Sequence, residues 1–151
     1  MRVVVMGGRD RREKDDYKLV NDLLDRLKKQ YPDLLIVTTG CDRGVGKIIN
    51  NRLMPKVKQG KPEINYLEWS FRIEVDRELP KLETTAIFLS KNATLVEFGD
   101  EFHLFVEAKP IGVAEDLRRR CVELHRPHAV YEMGVTEPRY VHWPTGGSVR
   151  G

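Results

Sequence analysis

Apolar positions along this chain fall into short continuous runs separated by longer stretches of helical spacing. Val3, Val4, Val5 and Met6 form the first run, and a continuous β-branched stretch suits a strand buried on both faces, here Arg2 to Met6. From Asp15 onward Val20, Leu23, Leu24, Leu27 and Tyr31 repeat at helical spacing, with Asp15 or Asp16 able to cap the first turn, and the helix ends before Pro32. Between these elements, Arg9 to Asp16 carry four positive and four negative charges. That octet reads as a solvated loop that buries nothing, with only Arg9 singled out by its place beside two glycines.

Leu34 to Thr38 predicts a second strand, and Val45, Ile48, Ile49, Leu53 and Val57 predict a second helix that Pro55 should kink or end early. Ile64 to Trp69 alternates apolar with polar residues as far as Leu67, the pattern of a third strand near an edge of the sheet. Trp69 itself is read either as core or as a platform for a base. Ser70 to Lys81 has no sustained period and is assigned to loop with a helical fragment. Leu82 to Phe98 predicts a third helix, broken near Ser90-Lys91-Asn92, and Phe102 to Val106 a fourth strand. A fourth helix should bury Ala114, Leu117, Cys121 and Leu124 while turning Arg118, Arg119 and Arg120 outward, and His128 to Glu132 predicts a fifth strand. Beyond it, Pro138, Pro144 and Gly146-Gly147 mark an extension with no predicted strand. The expected organisation is one domain over residues 1–133 and a C-terminal extension over 134–151.

Strands alternating with helices at this spacing predict an α/β fold, a Rossmann-like three-layer sandwich around a mainly parallel sheet of about five strands. Ligands of such sheets bind beyond the carboxyl ends of the strands, where strand order reverses, and the fourth strand is the usual partner of the first across that point. Three glycine turns fall at this rim: Gly7-Gly8-Arg9, the segment Gly40 to Gly44 that contains Arg43, and Lys109 to Gly112. Glycine permits close approach of the backbone to an anion, and the N–H groups of a following helix attract it. Arg9, Arg43 and Lys109 add charge-assisted donors, so phosphate is the predicted guest. Neither GxGxxG nor GxxxxGK[ST] occurs, which argues against a P-loop ATPase.

Composition narrows the function further. With 151 residues, 40% hydrophobic and 32% charged, the chain is long and apolar enough to bury a core as one domain. Lys plus Arg number 26 against 23 Asp plus Glu, so any basic site is local, and this near balance together with 8% aromatic residues argues against a nucleic-acid groove. The chain opens without a secretory apolar segment and has no run near the roughly 18 residues of a membrane span. Cys41 and Cys121 are isolated, and His103, His125, His128 and His142 lack metal-ligand spacing. The expectation is a cytoplasmic protein without a disulfide framework, metal site or cofactor, its histidines scattered over surface and core.

Four motifs carry a resemblance to the SLOG superfamily, the Rossmann-like group that includes the Lonely Guy phosphoribohydrolases and the DNA-processing protein A family. The pattern is closest to its small YspA-like members. Their strand running into Gly-Gly-Arg-Asp resembles Val3 to Asp10, and their Gly-Ala-Arg-Gly-Ala-Asp turn resembles Gly40 to Lys47 through its Arg-Gly core. Their Arg-Asn-x-x-Met-Val is similar to Lys91 to Val96, followed here by Asp100-Glu101-Phe102, and their Pro-Gly-Gly-x-Gly-Thr corresponds to Ala108 to Val113. The resemblance implies a nucleotide-type ligand held by Gly7, Gly8, Arg9, Gly40, Arg43, Gly44, Lys91, Asn92, Lys109 and Gly112, with Asn92 facing the pocket. It also implies a homodimer or larger homo-oligomer, built on the third helix with the tail wrapped around the partner. In the Lonely Guy enzymes a Gly-Thr-x-x-Glu signature supplies a carboxylate for N-glycosidic cleavage, and alignment on Gly112 places Asp116 there, with Glu115 one residue earlier. The signature's Thr and two of its glycines are replaced here, and Asp116 is one methylene shorter than Glu, which favours a sensor or sequestering module over the alternative, a nucleoside monophosphate N-glycosidase. Acidic residues in a first turn also serve simply to complement the helix dipole. Single-strand DNA binding is the third reading.

Overall fold

In the computed structural model, β1 (Arg2–Gly7) lies at the centre of a six-stranded sheet with β2 (Leu35–Thr38) on one side and β4 (Glu101–Phe105) on the other. The structure describes residues 1–39, 43–69, 81–109 and 112–144, with backbone alone over residues 81–89. The remaining elements are α1 (Lys14–Gln30), α2 (Val45–Lys58), β3 (Asn65–Glu68), α3 (Lys81–Phe98), α4 (Val113–Glu123), β5 (His128–Tyr131) and β6 (Arg139–Val141). Strand order is β3-β2-β1-β4-β5-β6. All neighbours pair in parallel except β6, which runs antiparallel to β5. The predicted fourth-to-first strand pairing is present, with Val4 opposite Phe102 and Met6 opposite Leu104.

The unbroken apolar run of β1 follows from burial on both sides. Val3 and Val5 join a core cluster with Val20, Leu23, Leu24 and Leu27 of α1 and Ile48, Ile49 and Leu53 of α2. Val4 and Met6 join a second cluster with Leu95 and Val96 of α3 and Ala114, Leu117 and Cys121 of α4. Two clusters formed by alternate residues of one strand are consistent with a three-layer Rossmann-like sandwich. Burial of Cys121 pushes its thiol up to about 12, so it remains a thiol at neutral pH. Among the described residues, no helix is long and apolar enough to cross a membrane.

Four expectations change. First, β6 lies beyond the last predicted strand: Arg139-Tyr140-Val141 pairs with His128 to Val130 and adds an antiparallel edge to the same sheet. The tail's Tyr140 and Trp143 pack against this chain's own first cluster. Second, α2 runs past Pro55 to Lys58, because the hydrogen bond that proline removes is on an exposed face, where water can serve the freed carbonyl. Third, α3 is continuous through Ser90-Lys91-Asn92. Fourth, Leu124 is 52% exposed and Glu115 takes a buried place on α4 instead. At the start of α1, Asp16 Oδ2 accepts from the backbone N–H of Glu13 at 3.1 Å, so Asp16 closes the first turn from inside the helix. The segment 70–80 lies outside the described residues.

Candidate functional site

Because β1 to β5 are parallel, their carboxyl ends share one edge of the sheet, and the loops that leave them meet there. The first and second glycine turns are in contact. Gly44 has φ +71°, and any side chain there would collide with the carbonyl oxygen of Gly8. A side chain on Gly7 would collide with Val45, the first residue of α2. Glycine is therefore needed at both positions for α2 to start directly over the end of β1. Gly8 continues the ladder, its N–H donating to the Phe105 carbonyl at 3.0 Å.

Arg11 ties this rim together. It is 1% exposed; its Nε donates to Asp16 Oδ1 at 2.9 Å, and NH1 donates to the carbonyls of Val106 at 2.8 Å and Tyr131 at 2.7 Å. The guanidinium thus joins the β1–α1 loop to the ends of β4 and β5, and it lies 5.4 Å from the centre of the Phe105 ring. This overturns the reading of Arg9 to Asp16 as a loop that buries nothing, since both Arg11 and Asp16 are buried. No local pattern marks Arg11, because its acceptors come from strands far along the chain.

Arg9, Arg43 and Lys109 are exposed and form no ion pair among the described residues, in contrast to Arg52, Arg118 and Arg120. The two helices that begin at this edge differ. α2 starts at Gly44 with no side-chain cap and no acidic residue in its first turn. α4 starts at Gly112, φ 102°, also without a side-chain cap, but carries Glu115 and Asp116 in its first turn. Gly40 lies outside the described residues, as do residues 110 and 111 between Lys109 and Gly112.

The structure draws Asn92 and Asp116 together. Asn92 is fully buried; its Nδ2 donates to the Val113 carbonyl at 2.8 Å and to Asp116 Oδ2 at 3.0 Å, fastening α3 to the first turn of α4 beside Gly112. Its Oδ1 is buried with no hydrogen-bond partner among the described residues. Asp116 Oδ2 also accepts from Arg120 Nε at 2.9 Å. Glu115 is held by Arg118 through two bonds, at 2.8 and 2.6 Å, and this pairing keeps its carboxyl below the usual carboxylate range. Lys91 is 4% exposed, with Nζ 3.5 Å from the Trp69 carbonyl after β3. Trp69 packs edge-on to Phe98, ring centres 6.1 Å apart, within the second core cluster. His103 is buried, with Tyr131 Oη at 2.9 Å from Nδ1 and Glu101 at 2.6 Å from Nε2. His128 is likewise buried. No group of three His, Cys, Asp or Glu among the described residues is placed to hold a metal ion.

Glu107, two residues past β4, carries no motif signal, yet its side chain lies directly on Gly8, where a Cβ would strike its Cγ, Cδ and Oε1. The only sequence cue was a carboxylate following a buried strand at the ligand-binding edge.

Residues 1–51 match the family described as YspA, cpYpsA-related SLOG. This match supports membership of the SLOG superfamily. It covers β1, α1, β2 and the first half of α2, and so the first two glycine turns with Arg9, Arg43 and Gly44. The SLOG match suggests a nucleotide-related, Rossmann-like function. No match was found among curated proteins or among solved structures.

Proposed function

We propose that this chain binds a nucleotide or nucleotide-derived anion at the carboxyl edge of the sheet, as a sensor or sequestering module, without turning it over. The observation that carries this reading is the N-terminus of α2: its N-cap is a glycine with no side-chain cap, its first turn holds no acidic residue, and beside it Arg9 and Arg43 are exposed and in no ion pair among the described residues. Backbone N–H groups, a favourable dipole and two guanidinium groups together suit a phosphate. Lys109 supplies a further cation from the β4 side.

The carboxylates of α4 support binding over catalysis. Both are engaged by neighbouring side chains: Arg118 holds Glu115 through two bonds, and Asp116 shares one oxygen between Asn92 and Arg120. Native mass spectrometry of the purified protein, followed by calorimetry with nucleoside monophosphates, tests the reading. Arg9→Ala and Arg43→Ala should each weaken binding by about 1.5 to 3 kcal/mol, the range for hydrogen bonds to a charged group. Unchanged affinity in both variants would overturn the site. Release of free base on incubation would favour the N-glycosidase instead.

A further inference from the structure

The contact between Glu107 and Gly8 sets a carboxylate into a ligand-binding edge otherwise lined by the cations Arg9, Arg43 and Lys109. On the α2 side, Gly44 presses on the Gly8 carbonyl, and Arg9 and Arg43 stand exposed. On the β4 side, the space above the Gly8 Cα is filled by the Glu107 side chain, whose Oε1 accepts from the Asp10 N–H at 3.4 Å. The other carboxylate oxygen has no partner among the described residues, and Glu107 forms no ion pair although Arg9 and Lys109 flank it. The edge therefore holds a half-buried carboxylate with no ion pair among the described residues, beside the proposed anion site.

A phosphate cannot share the place of a carboxylate without like-charge repulsion, so the ligand atoms next to Glu107 must be uncharged hydrogen-bond donors. Both flanking cations sit within two residues of the Gly8–Glu107 contact, a backbone span of about 7 Å at most. In a nucleotide the uncharged donors that lie next to the phosphate are the hydroxyls of the sugar. On the anion reading above, we propose that Glu107 is a specificity-determining residue that accepts hydrogen bonds from the hydroxyls of a ribose, so that the site selects ribonucleotides over their 2′-deoxy counterparts. A carboxylate facing a diol strongly rejects an analogue that lacks one hydroxyl, because the acceptor is left unpaired when water is displaced.

Calorimetry with AMP and dAMP on the full chain, its Glu107→Ala and Glu107→Gln variants and Arg9→Ala separates the possibilities. Wild type should bind AMP at least about tenfold more tightly than dAMP, as one hydrogen bond to a charged group implies. Glu107→Ala should abolish the difference by weakening AMP alone, Glu107→Gln should retain part of it through its amide oxygen, and Arg9→Ala should weaken both nucleotides equally. Equal binding of AMP and dAMP by wild type overturns the proposal and leaves the anion site standing. So does a discrimination that survives Glu107→Ala, or a variant that binds both nucleotides more tightly, which would make Glu107 a plug. Failure of wild type to bind either nucleotide, or inorganic phosphate, overturns the anion reading and the proposal with it.

Discussion

Arg11 and Asp16 form a buried ion pair at 2.9 Å, their side chains 1% and 7% exposed, where the ends of β4 and β5 meet the β1–α1 loop and the first turn of α1. Removing one partner of such a pair leaves an uncompensated charge in a poorly hydrated place. Asp16→Ala should lower stability by about 3 to 5 kcal/mol in urea unfolding. The double variant Arg11→Met with Asp16→Ala should be less destabilised than the two single changes added together. Additive losses would show that the two residues do not act as a unit.

Gly44 combines φ +71° with contact against the Gly8 carbonyl. Gly44→Ala should cost at least about 1 to 2 kcal/mol from the left-handed conformation alone, and more from the forced separation of the two turns. Gly60 also has positive φ, +72°, but opens onto empty space. Gly60→Ala should therefore be the milder change, and equal melting temperatures for the two variants would contradict the packing described.

His128 predicts a pH dependence. Burial lowers its pKa from 6.5, opposed by the bond between Nδ1 and the Arg126 carbonyl at 2.8 Å and reinforced by positive charge on His142, Arg118 and Arg139. Its Nε2 is buried without a partner among the described residues, so protonation would place an unsatisfied N–H there. With the folded pKa below the unfolded one, the unfolded chain takes up the proton first as pH falls. The contribution of His128 is thus full above about pH 6.5 and is lost progressively below it. Urea midpoints between pH 8 and 5 should fall more steeply for wild type than for His128→Leu, and parallel profiles would sink the assignment.

The C-terminal segment gives a fourth test. Trp143 lies 5.9 Å from the His103 ring and 4.9 Å from Tyr140, and β6 pairs with β5. Truncation after residue 133 should lower stability by at least about 2 kcal/mol, the scale of withdrawing an aromatic side chain from water-free packing. Light scattering on both forms checks assembly: a homodimer or larger homo-oligomer is proposed for the full chain, and a monomer mass would refute it.

Local pattern sufficed wherever burial on two faces imposes it. The β-branched run of β1, the helical stripe of α1 and the alternation of edge strand β3 each announced their element, and the chain order of strands and helices pointed to the pairing of β4 with β1 and to a ligand edge rich in glycine. Tertiary structure alone decided the rest. Arg11 stands in a string of alternating charges indistinguishable from a solvated loop, and only the carbonyls of Val106 and Tyr131, brought from distant strands, make its burial tolerable. Three residues suffice for β6 because β5 offers an open edge, and so short a strand leaves no periodicity to read. Glu107 follows the same logic: its place on Gly8 arises from the parallel register of β1 and β4, which sets Gly7 opposite Phe105, and long-range register has no signature in the residues on either side.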